Sequence, residues 1–438
     1  MFASQPLDMP LDSDQPENAR NDNQWAVLCP ELIYEILAYC LLDTTLDTCS
    51  PNLFPWYLGQ ICRSWRSVFT SSPRFWDRFK FDACLLTGAF KEVDLECALT
   101  LVELCVKRTK DRPFSFRFNA KDFDSHVASY MSRAMKTIVA NADRWSAAYF
   151  KVEGFGGLPA ELLLKAKHRF GQSLHTLQVS IPLETATHPS LFEDAPNLTR
   201  VFTIDYYHLR WSSLTVLHIE FSSHASVRLF AEFDKMKCLE ELVIRGAPQQ
   251  ADVVRVFETP VKIPSLKILY VQHYYPLTLF RAPSLEILHL ADVLPVLRST
   301  PIETFTREVN HLRTLSFNTN LYDVLRWIPE LDHAIVIDKH FMLMFLLHRS
   351  MARSLKSITV GDTHIYRSGT EMLCDITSVV WEKYQFPNLR RLSVFLHERK
   401  DEDMSSAINN LVRLGAYKGF EVDVKFSSLK IMPPFGDL

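Results

Sequence analysis

One phrase recurs along most of this chain and limits what it can fold into. It reads Leu174-x-x-Leu177-x-Val179, then Leu214-x-x-Leu217-x-Ile219, Leu239-x-x-Leu242-x-Ile244 and Leu266-x-x-Leu269-x-Val271. Further copies are Leu285-x-x-Leu288-x-Leu290, Leu312-x-x-Leu315-x-Phe317, Leu355-x-x-Ile358-x-Val360 and Leu389-x-x-Leu392-x-Val394. Weaker copies start at Trp145 and Leu198, and several follow Pro-Asn or Pro-Ser, as at Pro264-Ser265. In an extended chain successive side chains alternate, so the fourth and sixth positions share one face. A single such strand cannot bury that face. Neighbours stacked in parallel make a continuous core, as in a solenoid.

Between the copies lie helical stretches, near Ala225–Met236, Ala251–Glu258, Tyr322–Leu331, Phe341–Ser354, Thr370–Tyr384 and Met404–Gly415. The phrase resembles that of leucine-rich repeats. Start-to-start spacing runs from 16 residues (Leu198 to Leu214) to 43 (Leu312 to Leu355), against about 20–29 in that family. The family's asparagine appears only as Asn320. The expected fold is therefore α/β: an irregular leucine-rich-repeat-like solenoid of parallel strands with helical returns, over residues 144–430. An ordinary α/β sheet with buried strands is the alternative.

Ahead of the repeats, residues 28–80 are densely apolar. Pro30 suits the first turn of a helix and Glu31 its positive end. Leu32, Ile33, Ile36 and Leu37 follow at helical spacing. Pro51 and Pro55 break the pattern, and a second helix is expected from about Trp56 to Thr70, stopped by Ser72-Pro73. Two longer helices are expected near Glu92–Arg108 and Asp124–Ala142, with a strand at Pro113–Phe118 between them. The run Lys107–Arg112 is expected to end the first of these, where cations favour the dipole.

Leu28-Cys29-Pro30-Glu31-Leu32, then Leu58-Gly59-Gln60-Ile61-Cys62-Arg63-Ser64-Trp65-Arg66, then Ser72-Pro73-Arg74-Phe75-Trp76 together resemble an F-box, most of all that of mushroom-type fungal proteins. Cys29 stands where a proline is common, and the Asp43–Pro55 connection is longer than in compact F-boxes. The resemblance divides the chain into a tail (1–24), an N-terminal helical F-box (25–82), a helical linker or cap with one strand (83–143), the repeats (144–430) and a tail (431–438). It implies binding to a Skp-type adaptor and, through it, a cullin, as the substrate receptor of a ubiquitin ligase. The adaptor-binding residues it implies are Pro30, Leu32, Ile33, Ile36, Leu37, Leu58, Ile61, Cys62 and Trp65. A helical segment of this size buries too little to be comfortable alone. Its apolar surplus must pack on its own chain or on a partner. Capping the repeats is the competing role, and a repeat scaffold without a ligase is the competing function.

A docked target would meet the strand residues that point away from the leucine face: His218, Glu220, Arg245, Tyr270, Gln272 and His289; a plain solvated or helix-covered sheet face is the competing reading. Aromatic and arginine side chains often anchor interfaces.

Composition narrows the rest. Net charge is −3, unlike proteins held by phosphate backbones, so nucleic acid is not an expected partner. Glycine numbers 12 in 438, well below the usual share of about 7%. No phosphate loop, dinucleotide fingerprint, His-Glu-x-x-His or Gly-x-Ser-x-Gly occurs, and no enzyme, metal or cofactor is expected. Residues 1–24 are polar and acidic and lack a basic-then-apolar leader. The longest apolar run, Phe341–Leu347, is too short to span a bilayer. Nine cysteines with no Cys-x-x-Cys pair read as free buried thiols of a reducing compartment. Cytoplasm or nucleus is the expected location, with no membrane partner.

Overall fold

The structure is a computed structural model that describes residues 28–42, 44–82, 92–121, 125–153, 158–180, 190–204, 206–220, 229, 231–246, 260–272, 277, 280–290, 305, 309, 311–317, 331–336, 354–361, 369–382, 387–396 and 402–426. The chain divides into two compact units, residues 1–198 with 207–209, and residues 199–206 with 210–438.

The first unit contains α1 (Pro30–Cys40), β1 (Leu46–Asp47), α2 (Arg63–Ser71), β2 (Arg78–Asp82), α3 (Glu92–Arg108), β3 (Phe114–Lys121), α4 (Ser125–Val139), β4 (Trp145–Glu153), α5 (Leu158–Leu164) and β5 (Thr176–Ser180). Its five strands pair in sequence order, all parallel. Register puts Leu46, Phe79, Phe116, Ala148 and Leu177 in one column. Phe81, Phe118, Phe150 and Val179 form the next. These phenylalanines are at most 2% exposed. Phe81 and Phe118 stack at 5.5 Å, and Phe116 meets Phe150 edge-on at 5.1 Å. The first unit is thus the aromatic form of the same phrase. Trp76-x-x-Phe79-x-Phe81 is a copy that leucine spacing does not reveal.

The second unit contains β6 (Arg200–Thr203), β7 (Val216–Glu220), β8 (Glu241–Arg245), β9 (Val261–Lys262), β10 (Ile268–Val271), β11 (Phe280–Arg281), β12 (Ile287–Leu290), β13 (Thr314–Phe317), β14 (His333–Val336), β15 (Ser357–Gly361), α6 (Gly369–Glu382), β16 (Arg391–Leu396), α7 (Glu402–Lys418) and β17 (Glu421–Phe426). Ten of these strands pair in parallel and in order, while β9 and β11 form a separate parallel pair. The α/β fold expected from the phrase is present as parallel, sequentially ordered strands. Every strong copy lies on a strand, with its fourth positions aligned from Leu217 through Leu242, Leu269, Leu288 and Leu315.

Two strands of this unit's larger sheet fall where the sequence shows no copy. The 43-residue gap holds β14, whose phrase is Leu331-x-x-Ala334-x-Val336; Ala334 takes the leucine column between Leu315 and Ile358. The last strand, β17, reads Gly419-x-x-Val422-x-Val424, with Val422 beside Leu392 and Val424 beside Val394.

The residue after each opening position stacks from copy to copy through backbone bonds such as Lys267 N–H to Glu240 C=O at 2.8 Å and Glu286 N–H to Lys267 C=O at 2.9 Å. Its side chains run Glu240, Lys267, Glu286, Arg313, Asp332 and Lys356 in alternating sign, and the alternation ends where Arg390 follows Lys356. Lys267 pairs with Glu240 at 3.0 Å and Lys356 with Asp332 at 2.8 Å. Each exposed pair contributes under about 1 kcal/mol. The alternation of sign still opposes mispairing, because like charges set side by side repel.

Several local expectations change. The second N-terminal helix is not continuous over 56–70: a 3-10 turn spans Trp56–Gln60, and α2 starts only after Cys62, whose backbone is extended (φ −158, ψ 176). In the described part of 225–236 Leu229 is helical and a 3-10 turn spans Phe233–Lys235. From Leu266 to Leu285 is 19 residues, and β11 lies between them. The stretches 370–384 and 404–415 do form α6 and α7. That at 251–258, most of 322–331 and of 341–354, and both tails lie outside the described residues. The basic run ends α3, with Arg108 over the Trp76 ring at 4.3 Å. Among the described residues no disulfide forms and only Cys105 is a buried thiol; Cys29, Cys40, Cys97, Cys238 and Cys374 are exposed. No described helix is long and apolar enough to cross a membrane.

Candidate functional site

Helix α1 has two apolar stripes, and only one is covered. Pro30 opens it and Ile33 N–H bonds the Cys29 carbonyl at 3.1 Å. Ile33 and Leu37, one turn apart, are 0% exposed, and Tyr34 packs its ring 5.2 Å from Phe75. Leu32, Ile36 and Tyr39 lie about 100° round the helix. They are 53%, 38% and 84% exposed. Residues i, i+4 and i+7 make one continuous ridge.

The segment after α1 adds more. Trp56 is anchored inward by its indole N–H to the Asp47 carbonyl at 2.7 Å. Leu58 and Trp65 are buried, and Gly59 lies so near Phe69 that a Cβ there would sit 3.3 Å from its ring. Leu53, Phe54, Tyr57 and Ile61 point the other way and are exposed, with the Phe54 and Tyr57 rings 5.7 Å apart. Eight of the eleven large apolar side chains exposed among the described residues fall between Leu32 and Ile61.

The nine residues picked out from sequence divide accordingly. Pro30, Leu32, Ile36 and Ile61 are exposed and Cys62 is half-buried. Ile33, Leu37, Leu58 and Trp65 are a correction: they form the inner stripe and core of this segment and offer no surface. Tyr39, Leu42, Leu53, Phe54 and Tyr57 belong to the exposed set and were missed. Helical spacing from Leu32 could have found Tyr39. Nothing in the proline-broken stretch signals which of its apolar residues turn outward.

On the second unit's sheet the row is mostly covered, the competing reading given above, and as an open docking row it is corrected. Only Glu220 is exposed. His218 and Tyr270 are buried, and Arg245, Gln272 and His289 are half-buried. His218 Nε2 meets Glu241 Oε1 at 2.8 Å, and that hydrogen bond holds the Glu241 carboxyl below its usual range. The Phe202 ring stands edge-on to His218 at 4.3 Å. Gln272 accepts the Gly246 N–H at 2.8 Å. Tyr270 lies 6.0 Å from the His289 ring, and His333 Nε2 bonds Thr359 Oγ1 at 2.9 Å. Alternation places these residues opposite the leucines but does not make that side open. A parallel sheet is commonly covered on both faces.

Among the described residues no group of three His, Cys, Asp or Glu side chains could hold a metal ion. Compared with known proteins, the chain matches no family model and no curated sequence.

Proposed function

We propose that the chain is the substrate receptor of a Skp–cullin–F-box ubiquitin ligase. Its N-terminal segment binds a Skp-type adaptor, and its irregular leucine-rich-repeat-like strands hold a target protein. The observation that carries this reading is the concentration of exposed apolar side chains between Leu32 and Ile61, in the stretch whose motifs resemble an F-box. Exposed apolar clusters of this kind mark protein contacts. In this role the chain does no chemistry. It speeds transfer by holding the target close to the charged conjugating enzyme.

One observation favours a second reading, a repeat scaffold without a ligase. The segment does not stand apart, because its strand β2 pairs with β3 along five residues. It therefore also finishes one end of the first unit's sheet, as a terminal cap does.

The double substitution Leu32→Asp with Ile36→Asp separates the two. Both side chains are exposed, so the thermal midpoint is expected to stay near wild type. Capture of a co-expressed Skp-type adaptor is expected to be lost, since two carboxylates would be buried unpaired. Adaptor capture at wild-type strength by the folded double variant would refute the assignment. A wild-type chain that captures no adaptor would favour the scaffold.

A further inference from the structure

Among the described residues, the last strand of the second unit is an unpaired edge with a pattern that matches itself. β17 pairs with β16 on one side, and no described strand pairs on the other. Glu421 N–H donates to the Arg390 carbonyl at 2.8 Å. Backbone direction alternates along a strand, so Glu421, Asp423 and Lys425 turn their N–H and C=O groups toward β16. Val422, Val424 and Phe426 turn theirs outward. Their side chains also remain partly uncovered. Val422 and Val424 are half-buried and Phe426 is 45% exposed, whereas Leu392 and Val394, their neighbours on β16, are 0% exposed.

Edges of this length are commonly blunted by proline, a bulge or unpaired charges, lysine above all, and of the three charges on β17 Asp423 and Lys425 pair with each other. β17 has neither proline nor glycine, and its one lysine stands two residues from an aspartate. Lys425 pairs with Asp423 at 3.3 Å and lies over the Phe395 ring at 5.4 Å. Asp423 is also held by Arg391 at 2.9 Å.

We infer that β17 is a homodimer interface, in which two copies pair antiparallel about a two-fold axis through Val424. That register joins the outward backbone groups of Val422, Val424 and Phe426 with those of the second copy. It sets Val422 against Phe426 of the second copy on the apolar face, and Val424 against itself. On the polar face Asp423 meets Lys425 of the second copy, twice over. Shifting the axis one residue back would set Asp423 against itself, which the charges disfavour. The same patch serves both copies, as a two-fold interface requires. The inference is independent of the proposed adaptor contact.

The test is the mass of the full chain in solution by light scattering and sedimentation. Wild type is expected to reach twice 50.6 kDa as concentration rises. Asp423→Lys or Lys425→Asp alone sets like charges together at both pairs and should weaken association by about tenfold or more. An equimolar mixture of the two variants restores two opposite-sign pairs and should form a heterodimer. Circular dichroism melts confirm that each variant is folded. A wild-type chain that stays monomeric at its highest soluble concentration overturns the interface. So does a dimer that neither substitution weakens. A mixture that fails to associate while wild type dimerises overturns the register.

Discussion

Replacing Trp76 by alanine should lower the stability of the first unit by about 3–5 kcal/mol, the usual cost of removing a buried indole. Trp76 is 1% exposed. Its ring meets Phe69 at 5.0 Å and Trp56 at 5.8 Å, and Arg108 covers it at 4.3 Å. Its indole N–H donates to the Phe69 carbonyl at 2.9 Å. One side chain thus ties α2 and the end of α3 to the opening position of the β2 phrase. Alanine leaves a cavity among three elements and an unpaired carbonyl at the end of α2. Trp76→Phe keeps most of the apolar volume but loses the donor, and should cost less, with the hydrogen bond accounting for about 1 kcal/mol. Urea unfolding of the full chain, with circular dichroism for both variants, measures the two shifts. A Trp76→Ala loss below that of Trp76→Phe would show that the cavity does not dominate.

The same tryptophan shows why the first sheet was harder to read than the second. In the second unit the leucine phrase marks its strands directly, because aliphatic side chains fill the same two columns in copy after copy. Phe79, Phe81, Phe116 and Phe118 occupy those columns in the first unit, and a pattern written in leucine passes over them. β14 escaped for the opposite reason. Ala334 needs less space than leucine, and its column is filled from neighbouring strands. β17 escaped because Gly419 opens its phrase. Its positive φ of 85° ends α7 where the other copies start with a buried aliphatic residue, a conformation that glycine adopts without steric cost.

Site residues were legible only as far as periodicity reaches. Spacing along α1 groups Leu32 with Ile36 and Ile33 with Leu37. It cannot say which pair faces the core, since all four are equally apolar. Packing decides, through Phe75 and the elements after Pro51. On the second sheet, alternation correctly separated His218 from Leu217 and Ile219. Exposure depends on what else lies over that face, and no strand pattern encodes it.

Acidification should destabilise the second unit well before its carboxylates titrate. Burial pushes His289 down from 6.5 to about 4, with His333 acting in the same direction. Burial also lowers His333. His289 Nδ1 is buried with no hydrogen-bond partner among the described residues. Tyr270 on β10 and Ser316 on β13 stand beside it in register, and neither supplies a negative charge near neutral pH. Because the folded pKa lies below the unfolded one, the unfolded chain takes up the proton first. Stability is therefore complete above about pH 6.5 and falls until about pH 4, by about 3 kcal/mol for this one ring. Glu241 adds its own loss only at lower pH, because its depressed carboxyl gives up its contribution below the ordinary value of 4.5. His289→Phe keeps the ring volume and removes the proton site, so its stability should change less between pH 6.5 and 4.5 than that of wild type. Urea midpoints measured across that window supply the comparison. Equal slopes for the two chains would mean that His289 is protonated as readily in the fold as out of it, and that the sheet face around it is wet.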